Sequence, residues 1–89
     1  MNSYLVYILM CNDKTLYTGI STDVERRLHE HNFTDKGSKY VKARRPSRIV
    51  YVESFNSRSL ALKREFKIKS MSRREKLSLI SENKKTLKY

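Results

Sequence analysis

Two short β-prone segments lie on either side of a turn near the start of the chain, and a helix start follows them directly. Residues 4–10 are β-branched, aromatic or aliphatic without a breaker, which predicts a strand buried on both faces. Residues 11–13 have turn chemistry, and residues 15–18 then predict a returning strand that Gly19 ends. This hairpin constrains the fold more than any other feature of the sequence.

Each predicted strand carries a tyrosine. A turn centred on Asn12 would set Tyr7 opposite Tyr17, and directly opposed residues share a face with Cβ atoms about 4.5–5.5 Å apart. Such a pair is often no more than a cross-strand aromatic contact within a sheet. Two phenols on one face can also hydrogen-bond a phosphate or a water nucleophile, so both interpretations stay open.

A capping box at residues 22–25, Thr-Asp-Val-Glu, predicts a helix that runs to about Asn32. Arg27 and His31 lie four residues apart and therefore share one face of it. A guanidinium can bind a phosphate and stabilise growing negative charge, and an imidazole can hold or move a proton near neutral pH. Both residue types are also common as solvated or structural groups on helices. Together with the two tyrosines they would suit the cleavage of a phosphodiester.

The formal net charge is +11 over 89 residues, and it is unevenly distributed. Residues 1–35 contain 3 basic and 5 acidic side chains, whereas residues 36–89 contain 17 basic and 4 acidic ones. A polyanion would therefore bind mainly to the later part. Residues 34–48 predict a loop with a short helix around Tyr40, and its basic side chains lie in residues 36–48, the basic segment. Its candidate phosphate-binding residues are Lys36, Lys39, Tyr40, Lys42, Arg44, Arg45 and Arg48.

Residues 49–52 predict a third strand, and Ser57 or Ser59 can cap a second helix that extends to about Ser70. Glu65 lies inside the apolar stripe of that helix, where a carboxylate is costly unless something pairs with it. A basic side chain is one possible partner. A divalent cation is the other, because one carboxylate with waters and a phosphate oxygen suits Mg²⁺.

A second capping box at residues 72–75 opens a third helix, and residues 83–89 form a polar tail, which predicts a single domain over residues 1–82. Cys11 is the only cysteine, so a disulfide within the chain and a zinc site built on cysteines are excluded. The apolar run at residues 5–10 is too short to span a bilayer and lacks the flanks of a signal peptide. We therefore expect a cytoplasmic protein that makes no membrane contact.

Several segments resemble the core of the GIY-YIG nuclease superfamily, and the likeness is greatest to its small stand-alone bacterial members. They are Val6-Tyr7-Ile8, Tyr17-Thr18-Gly19 and residues 23–28, with the likeness continuing through residues 59–65 to about Ile80. The resemblance implies an α+β fold with a small three-stranded antiparallel sheet flanked by helices. It also implies hydrolysis of one nucleic-acid strand with a single Mg²⁺, or Mn²⁺, as cofactor.

The same resemblance implies a role for each candidate site residue. Tyr7 would help to activate the attacking water, and Tyr17 would orient that water or a phosphate oxygen. Arg27 would steady the scissile phosphate, His31 would take part in proton handling, and Glu65 would bind the metal.

The sequence thus predicts a Mg²⁺-dependent endonuclease that acts on DNA in repair or recombination and is directed by DNA structure rather than by sequence. A non-catalytic module that binds DNA or RNA with the same fold is the main alternative. An RNA nuclease or ribosome-associated factor is a third interpretation. We expect target choice to come from the basic segment or from a protein partner.

Overall fold

The computed structural model describes residues 3–83, and these form three strands and four helices. In chain order they are β1 (Tyr4–Met10), β2 (Leu16–Ser21), α1 (Val24–Phe33), α2 (Lys39–Lys42), β3 (Arg48–Phe55), α3 (Arg58–Lys69) and α4 (Arg73–Asn83). The predicted α+β fold, a three-stranded antiparallel sheet flanked by helices, is confirmed. The predicted polar tail lies outside the described residues apart from Asn83, which ends α4. None of the described helices has the length and apolar character needed to cross a membrane.

The strand order is β2-β1-β3, and β1 is the central strand. One face of the sheet packs on α1 and α2, where Tyr7 lies with Val24 and Val41. The opposite face packs on α3 and α4, where Ile8 lies with Ile68. Because β1 is covered on both faces, its sequence is an uninterrupted apolar run rather than an alternating one. Tyr7 is thereby held in the centre of the molecule, beneath α1.

The predicted pairing of Tyr7 with Tyr17 is wrong by two residues. Tyr7 lies opposite Gly19, and Tyr17 lies opposite Leu9, because the turn is centred one residue beyond Asn12. Residues two apart on a strand point to the same face of the sheet. The two tyrosines therefore still share a face, as the sequence predicted, although they are diagonal rather than directly opposed.

Gly19 does not end the second strand, which continues to Ser21. A Cβ atom built at Gly19 would lie 2.5 Å from the hydroxyl oxygen of Tyr7 and 2.6 Å from its Cζ. The Tyr7 ring thus lies directly over the glycine. Only a residue without a side chain leaves room for the phenol at this position.

The first helix begins one residue later than its predicted capping box requires. Asp23, not Thr22, is the N-cap, and its Oδ1 accepts from the backbone N–H of Arg26 at 3.0 Å. The hydroxyl of Ser21 accepts from the Asp23 N–H at 2.9 Å and fixes the entry of the chain into α1. This start sets the rotation of the helix that carries Arg27.

The caps of the later helices follow the sequence closely. Ser57 caps α3 by accepting from the N–H of Leu60 at 3.2 Å. The predicted box at the start of α4 forms in both directions: the Glu75 N–H donates to Ser72 Oγ at 3.1 Å, and the Ser72 N–H donates to Glu75 Oε1 at 2.9 Å. These caps fix the starts of both helices on the far side of the sheet.

An ion pair holds α3 against β3. Arg64 Nε lies 2.9 Å from Glu53 Oε1, and the hydroxyl of Tyr51 donates to the same carboxylate oxygen. Burial, followed by the hydrogen bond to Glu53, raises the pKa of Tyr51. The tyrosine therefore remains a neutral donor. Since Glu65 follows Arg64 directly, this contact also fixes the position of the candidate metal ligand.

Candidate active site

A buried hydrogen bond joins Tyr7 to His31. The hydroxyl oxygen of Tyr7 lies 2.9 Å from His31 Nε2, and the two residues are 1% and 0% exposed. The backbone N–H of Ser38 donates to the other ring nitrogen, Nδ1, at 3.1 Å. An imidazole that accepts at Nδ1 carries its proton at Nε2 when neutral. His31 is therefore the donor to Tyr7 in this arrangement, whereas the sequence suggested only a general role in handling protons.

Burial sets the protonation states of this pair. Burial first, and the charge of Arg27 second, lower the pKa of His31 to about 4. Burial also raises the pKa of Tyr7 well above its ordinary value, an effect strengthened by Tyr17 and opposed by Arg27. At neutral pH both groups are uncharged. Tyr7 accepts from His31 and keeps its own O–H for donation.

Tyr17 connects the buried pair to the surface. Its ring centroid lies 6.4 Å from that of Tyr7 and 5.3 Å from that of His31, the latter in an edge-on arrangement. On its outer side Tyr40 is stacked at 6.3 Å, and the guanidinium of Arg44 lies 3.8 Å from the centroid of Tyr40. A continuous line of rings thus runs from the core to solvent.

Arg27 provides the positive charge beside the tyrosines. Its Nη1 donates to Glu30 Oε1 at 2.9 Å and to the carbonyl oxygen of Lys36 at 2.8 Å. The side chain is 28% exposed, and its charge acts to lower the pKa of Tyr7. The guanidinium is therefore fixed in direction, close to the phenol, and accessible to an incoming phosphate.

Gly37 permits the loop after α1 to fold back against that helix. A Cβ atom at Gly37 would lie 2.6 Å from the Cα of His31 and 2.7 Å from the carbonyl oxygen of Glu30. Backbone groups on either side of the glycine bind Arg27 and His31, so one loop positions two site residues. Sequence reasoning missed this role. A lone glycine inside a basic segment was the available signal.

Glu65 lies on α3, across the sheet edge from the other candidates. Its side chain is 15% exposed, and its Oε2 lies 3.3 Å from Nζ of Lys69. Its charge contributes to raising the pKa of Tyr7, so the two groups are close enough to interact electrostatically. Of the two partners expected from the sequence, the structure contains the basic one, which is Lys69.

The donor set around Glu65 fits Mg²⁺ in one particular way. Within residues 3–83 no three His, Cys, Asp or Glu side chains cluster into a metal cage, so Glu65 does not belong to such a cage. Mg²⁺ keeps several waters and commonly binds through one or two carboxylates plus substrate phosphate oxygens. A largely hydrated ion fits here, whereas a structural metal site built from protein ligands does not.

A family model described as the GIY-YIG catalytic domain matches residues 3–78 of this chain. The chain belongs to the GIY-YIG family. The match includes both tyrosine-bearing strands, the helix with Arg27 and His31, and the helix with Glu65. The family assignment therefore covers every candidate catalytic and metal-binding residue.

Similar proteins place the chain among small members of the GIY-YIG family. A UPF0213 protein of Syntrophus aciditrophicus is 54% identical over 93% of this chain and 95% of that protein. One from Staphylococcus saprophyticus is 50% identical over 92% and 99%. The solution structure of a UPF0213 protein from Bacillus halodurans matches with 43% identity and a TM-score of 0.58, covering 89% of this chain and 83% of that one. The E. faecalis protein EF2693 matches with 35% identity and a TM-score of 0.63, covering 91% and 85%.

In the basic segment of this GIY-YIG domain, some side chains are exposed and others are held by hydrogen bonds or ion pairs. Lys36, Lys39 and Tyr40 are exposed. Lys42 donates to the carbonyl oxygen of Asp35 at 3.2 Å and is half-buried. Arg44 is half-buried as well, and its Nε lies 3.2 Å from Asp13 Oδ2 in the β1–β2 turn. The first three are the most accessible to a phosphate.

Arg45 has a different set of partners from the one predicted. Its Nε donates to the carbonyl oxygen of His31 at 2.6 Å, and its Nη2 donates to the carbonyls of Glu30 and Thr34. These carbonyls lie at the end of α1 and at its C-cap, where a positive charge also complements the helix dipole. We therefore assign Arg45 to capping of the GIY-YIG helix and leave it out of the proposed DNA-binding surface.

Arg48 lies away from the tyrosines. Its Nη2 is 3.6 Å from the sulfur of Met10, at the end of β1 that adjoins the turn. Met10 is three residues beyond Tyr7, or about 10 Å along a strand. A contact of Arg48 with a nucleic acid would therefore lie at the turn end of the sheet, three residues along the strand from Tyr7.

Proposed function

We propose that this protein is a Mg²⁺-dependent endonuclease that hydrolyses DNA phosphodiester bonds. The observation that carries the proposal is the grouping of Tyr7, Tyr17, Arg27 and His31 around one point within a GIY-YIG catalytic domain. Glu65, on α3, interacts electrostatically with the phenol of Tyr7. These groups supply the donors, positive charge and metal ligand that phosphodiester hydrolysis requires.

In the proposed reaction, water attacks the phosphorus, the bond from phosphorus to one sugar oxygen breaks, and solvent carries the proton that the water loses to that leaving oxygen. The chain's own residues position the groups involved. Arg27, held by Glu30 and the loop backbone, would bind a non-bridging oxygen of the scissile phosphate and stabilise the charge that develops there. Tyr7 would donate its O–H to a phosphate oxygen and stabilise the charge that develops there, since its own oxygen already accepts from His31. Tyr17, between the core and the surface, would orient the attacking water.

Glu65, with waters and a phosphate oxygen, would hold Mg²⁺ or Mn²⁺. A bound divalent ion supplies Lewis-acid stabilisation of the phosphoryl oxygens. Lys69 is the group that neutralises Glu65 in the structure described, at 3.3 Å. This contact therefore positions the carboxylate before any metal binds.

The proposed choice of substrate rests on the exposed lysines of the basic segment. Lys36 and Lys39 are exposed, and contacts from such side chains to phosphates fix position on the backbone without carrying sequence information. We therefore propose recognition of DNA structure rather than sequence, as cleavage in repair or recombination requires. A protein partner would narrow the choice of target further.

The test is a nicking assay on branched, duplex and single-stranded DNA with Mg²⁺ or Mn²⁺. Glu65→Ala should abolish nicking without weakening DNA binding, because the one ion pair it loses among residues 3–83 is with a half-exposed lysine. Glu82→Ala, which removes an exposed carboxylate from α4, is the matched control and should cut normally. Wild-type protein that cuts none of these substrates would overturn the proposal.

One observation favours a second candidate, a nucleic-acid-binding module that keeps the fold without turnover. Tyr7 is only 1% exposed, so its hydroxyl reaches a substrate only through a side-chain movement or an intervening water. Under this alternative the wild type and Glu65→Ala would bind DNA or RNA equally and neither would cut. Competition between DNA and RNA at a stated salt concentration would then identify the bound nucleic acid.

A further inference from the structure

A groove of about 320 Å³ opens beside the candidate site at the free edge of β2. Four structural elements contribute to its lining, which consists of Leu16, Tyr17, Thr18, Tyr40, Lys69 and Lys76. Its volume is at the lower end of the range for ligand pockets, roughly 300–1,000 Å³. The groove extends beyond the basic segment and the site residues named above, because both of its lining lysines come from α3 and α4.

The groove is positively charged and adjoins the site directly. Lys69, in its wall, is the lysine that contacts Glu65 at 3.3 Å. Lys76 has no carboxylate within ion-pair distance among residues 3–83. No acidic residue lines the groove. An anion entering it would therefore meet one uncompensated ammonium and a second one beside the candidate metal ligand.

The groove also has an aromatic wall, formed by Tyr17 and Tyr40. Tyr17 and Tyr40 lie with centroids 6.3 Å apart and planes 24° from parallel, and the Arg44 guanidinium stacks on Tyr40. Tyr40 is 38% exposed, so part of this wall faces solvent. Thr18 belongs to the lining as well, and its buried Oγ1 has no hydrogen-bond partner among the described residues.

We infer that this groove is a subsite for the unpaired nucleotide that adjoins the cut, with one backbone phosphate bound by Lys69 and Lys76 and the sugar and base against Tyr17 and Tyr40. The inference rests on the proposed nuclease function and specifies its substrate as a single-stranded or splayed strand. A positively charged groove combined with aromatic side chains is the usual way in which proteins bind single strands. A regular duplex keeps its bases stacked inside and presents only phosphates to such a wall.

The test measures binding in the presence of EDTA, so that cleavage plays no part. Fluorescence anisotropy compares a short single-stranded oligonucleotide with a duplex of the same sequence. Lys76→Gln should weaken single-strand binding roughly threefold or more and reduce the salt slope by about 0.7, as expected for the loss of one phosphate contact. Lys63→Gln removes the same charge from an exposed position on α3 outside the groove and should change neither quantity.

A second variant tests the aromatic wall. Tyr40→Leu should lower the affinity for the single strand about tenfold, the size of effect expected for a lost stacking contact, and leave duplex affinity unchanged. Equal losses for the single strand and the duplex would contradict an unpaired occupant.

Neutral methylphosphonates locate the bound phosphate. One such linkage, moved along the single strand, should weaken wild-type binding at one position and have no further effect there on Lys76→Gln. If Lys76→Gln and Lys63→Gln behave alike at every position, the subsite is disproved while the proposed nuclease function stands. If the wild type binds neither form of nucleic acid, the proposed function falls together with the subsite.

Discussion

The imidazole of His31 donates its Nε2 proton to the hydroxyl oxygen of Tyr7 across 2.9 Å, and both side chains are buried. The Ser38 N–H occupies the other ring nitrogen and holds the ring in this tautomer. Protonation of His31 would replace the acceptor at Nδ1 with a second donor, facing the N–H of Ser38. The stability of the fold is therefore linked to the neutral state of one histidine.

The first prediction concerns pH. Since the folded pKa of His31 is about 4 and its ordinary value is 6.5, the unfolded chain binds a proton between these values that the folded chain does not. The contribution of His31 is fully present above pH 6.5 and is lost as pH falls towards 4. We expect the free energy of unfolding to fall by about 3 kcal/mol across this window. Urea unfolding at a series of pH values measures it.

Two variants test whether His31 causes that pH dependence. His31→Gln should flatten the curve between these pH values, whatever its effect on overall stability. His29→Gln removes an exposed histidine from the same helix and should leave the curve as in the wild type. A curve that persists in His31→Gln would contradict the assignment.

The second prediction concerns Gly37, where the loop after α1 folds back against that helix. Gly37→Ala forces the backbone away from α1, because the new Cβ would meet backbone atoms of Glu30 and His31. We expect a loss of about 1–3 kcal/mol in the free energy of unfolding and release of the Ser38 contact. Denaturant unfolding measures the first, and the ¹⁵N shifts of the His31 ring measure the second. Ser38→Ala keeps the backbone N–H and should match the wild type, since its hydroxyl makes no cap bond.

The third prediction separates Arg45 from the other basic residues. Arg45→Gln should lower the free energy of unfolding by about 1.5–3 kcal/mol, the range for hydrogen bonds to charged groups, and leave the salt slope for duplex DNA unchanged. Lys39→Gln removes the same charge from an exposed position and should do the reverse, reducing the slope by about 0.9 with little effect on stability. A reduced slope in Arg45→Gln without destabilisation would restore the role predicted from the sequence.

The fourth prediction concerns the buried hydroxyl of Thr18, which has no partner within the described chain. Thr18→Val keeps the shape and removes an unsatisfied polar atom, so the free energy of unfolding should stay the same or rise by up to about 1 kcal/mol. Thr15→Val is the matched control, because the Thr15 hydroxyl donates to Asp13 at 2.6 Å, and it should be destabilising. Thermal unfolding of the wild type, Thr18→Val and Thr15→Val tests this prediction. A lower free energy of unfolding in Thr18→Val would contradict it and would mean that the hydroxyl has a hydrogen-bond partner.

The elements of the fold were largely predictable because each depends on neighbours in the chain. The apolar run of β1 predicted a strand covered on both faces, and the Ser72–Glu75 pattern predicted a capping box that forms in both directions. The register of the hairpin was wrong by two residues, because a turn between Asn12 and Lys14 has several similar closures. The shared face of Tyr7 and Tyr17 survived that error, since the side-chain period of a strand is two.

The surroundings of the site were not predictable in the same way. Arg45 and Lys39 look alike in the sequence, yet one caps α1 and the other faces solvent. Nothing in the spacing of Gly37 indicates that it lies on the backbone of His31. Such contacts depend on where a loop returns after many residues, which no local periodicity records.

By itself, then, the sequence determined the strands, the helices and which residues share a face of the sheet, because these follow from periodicity and capping within a few positions. Only the tertiary structure decided which charged side chains are held by hydrogen bonds or ion pairs and which face solvent. It turned Arg45 into a helix cap, made His31 a donor to Tyr7, and brought Lys69 and Lys76 to the edge of β2. The physical reason is that burial and hydrogen bonding between distant segments, rather than residue type, fix a side chain's partners.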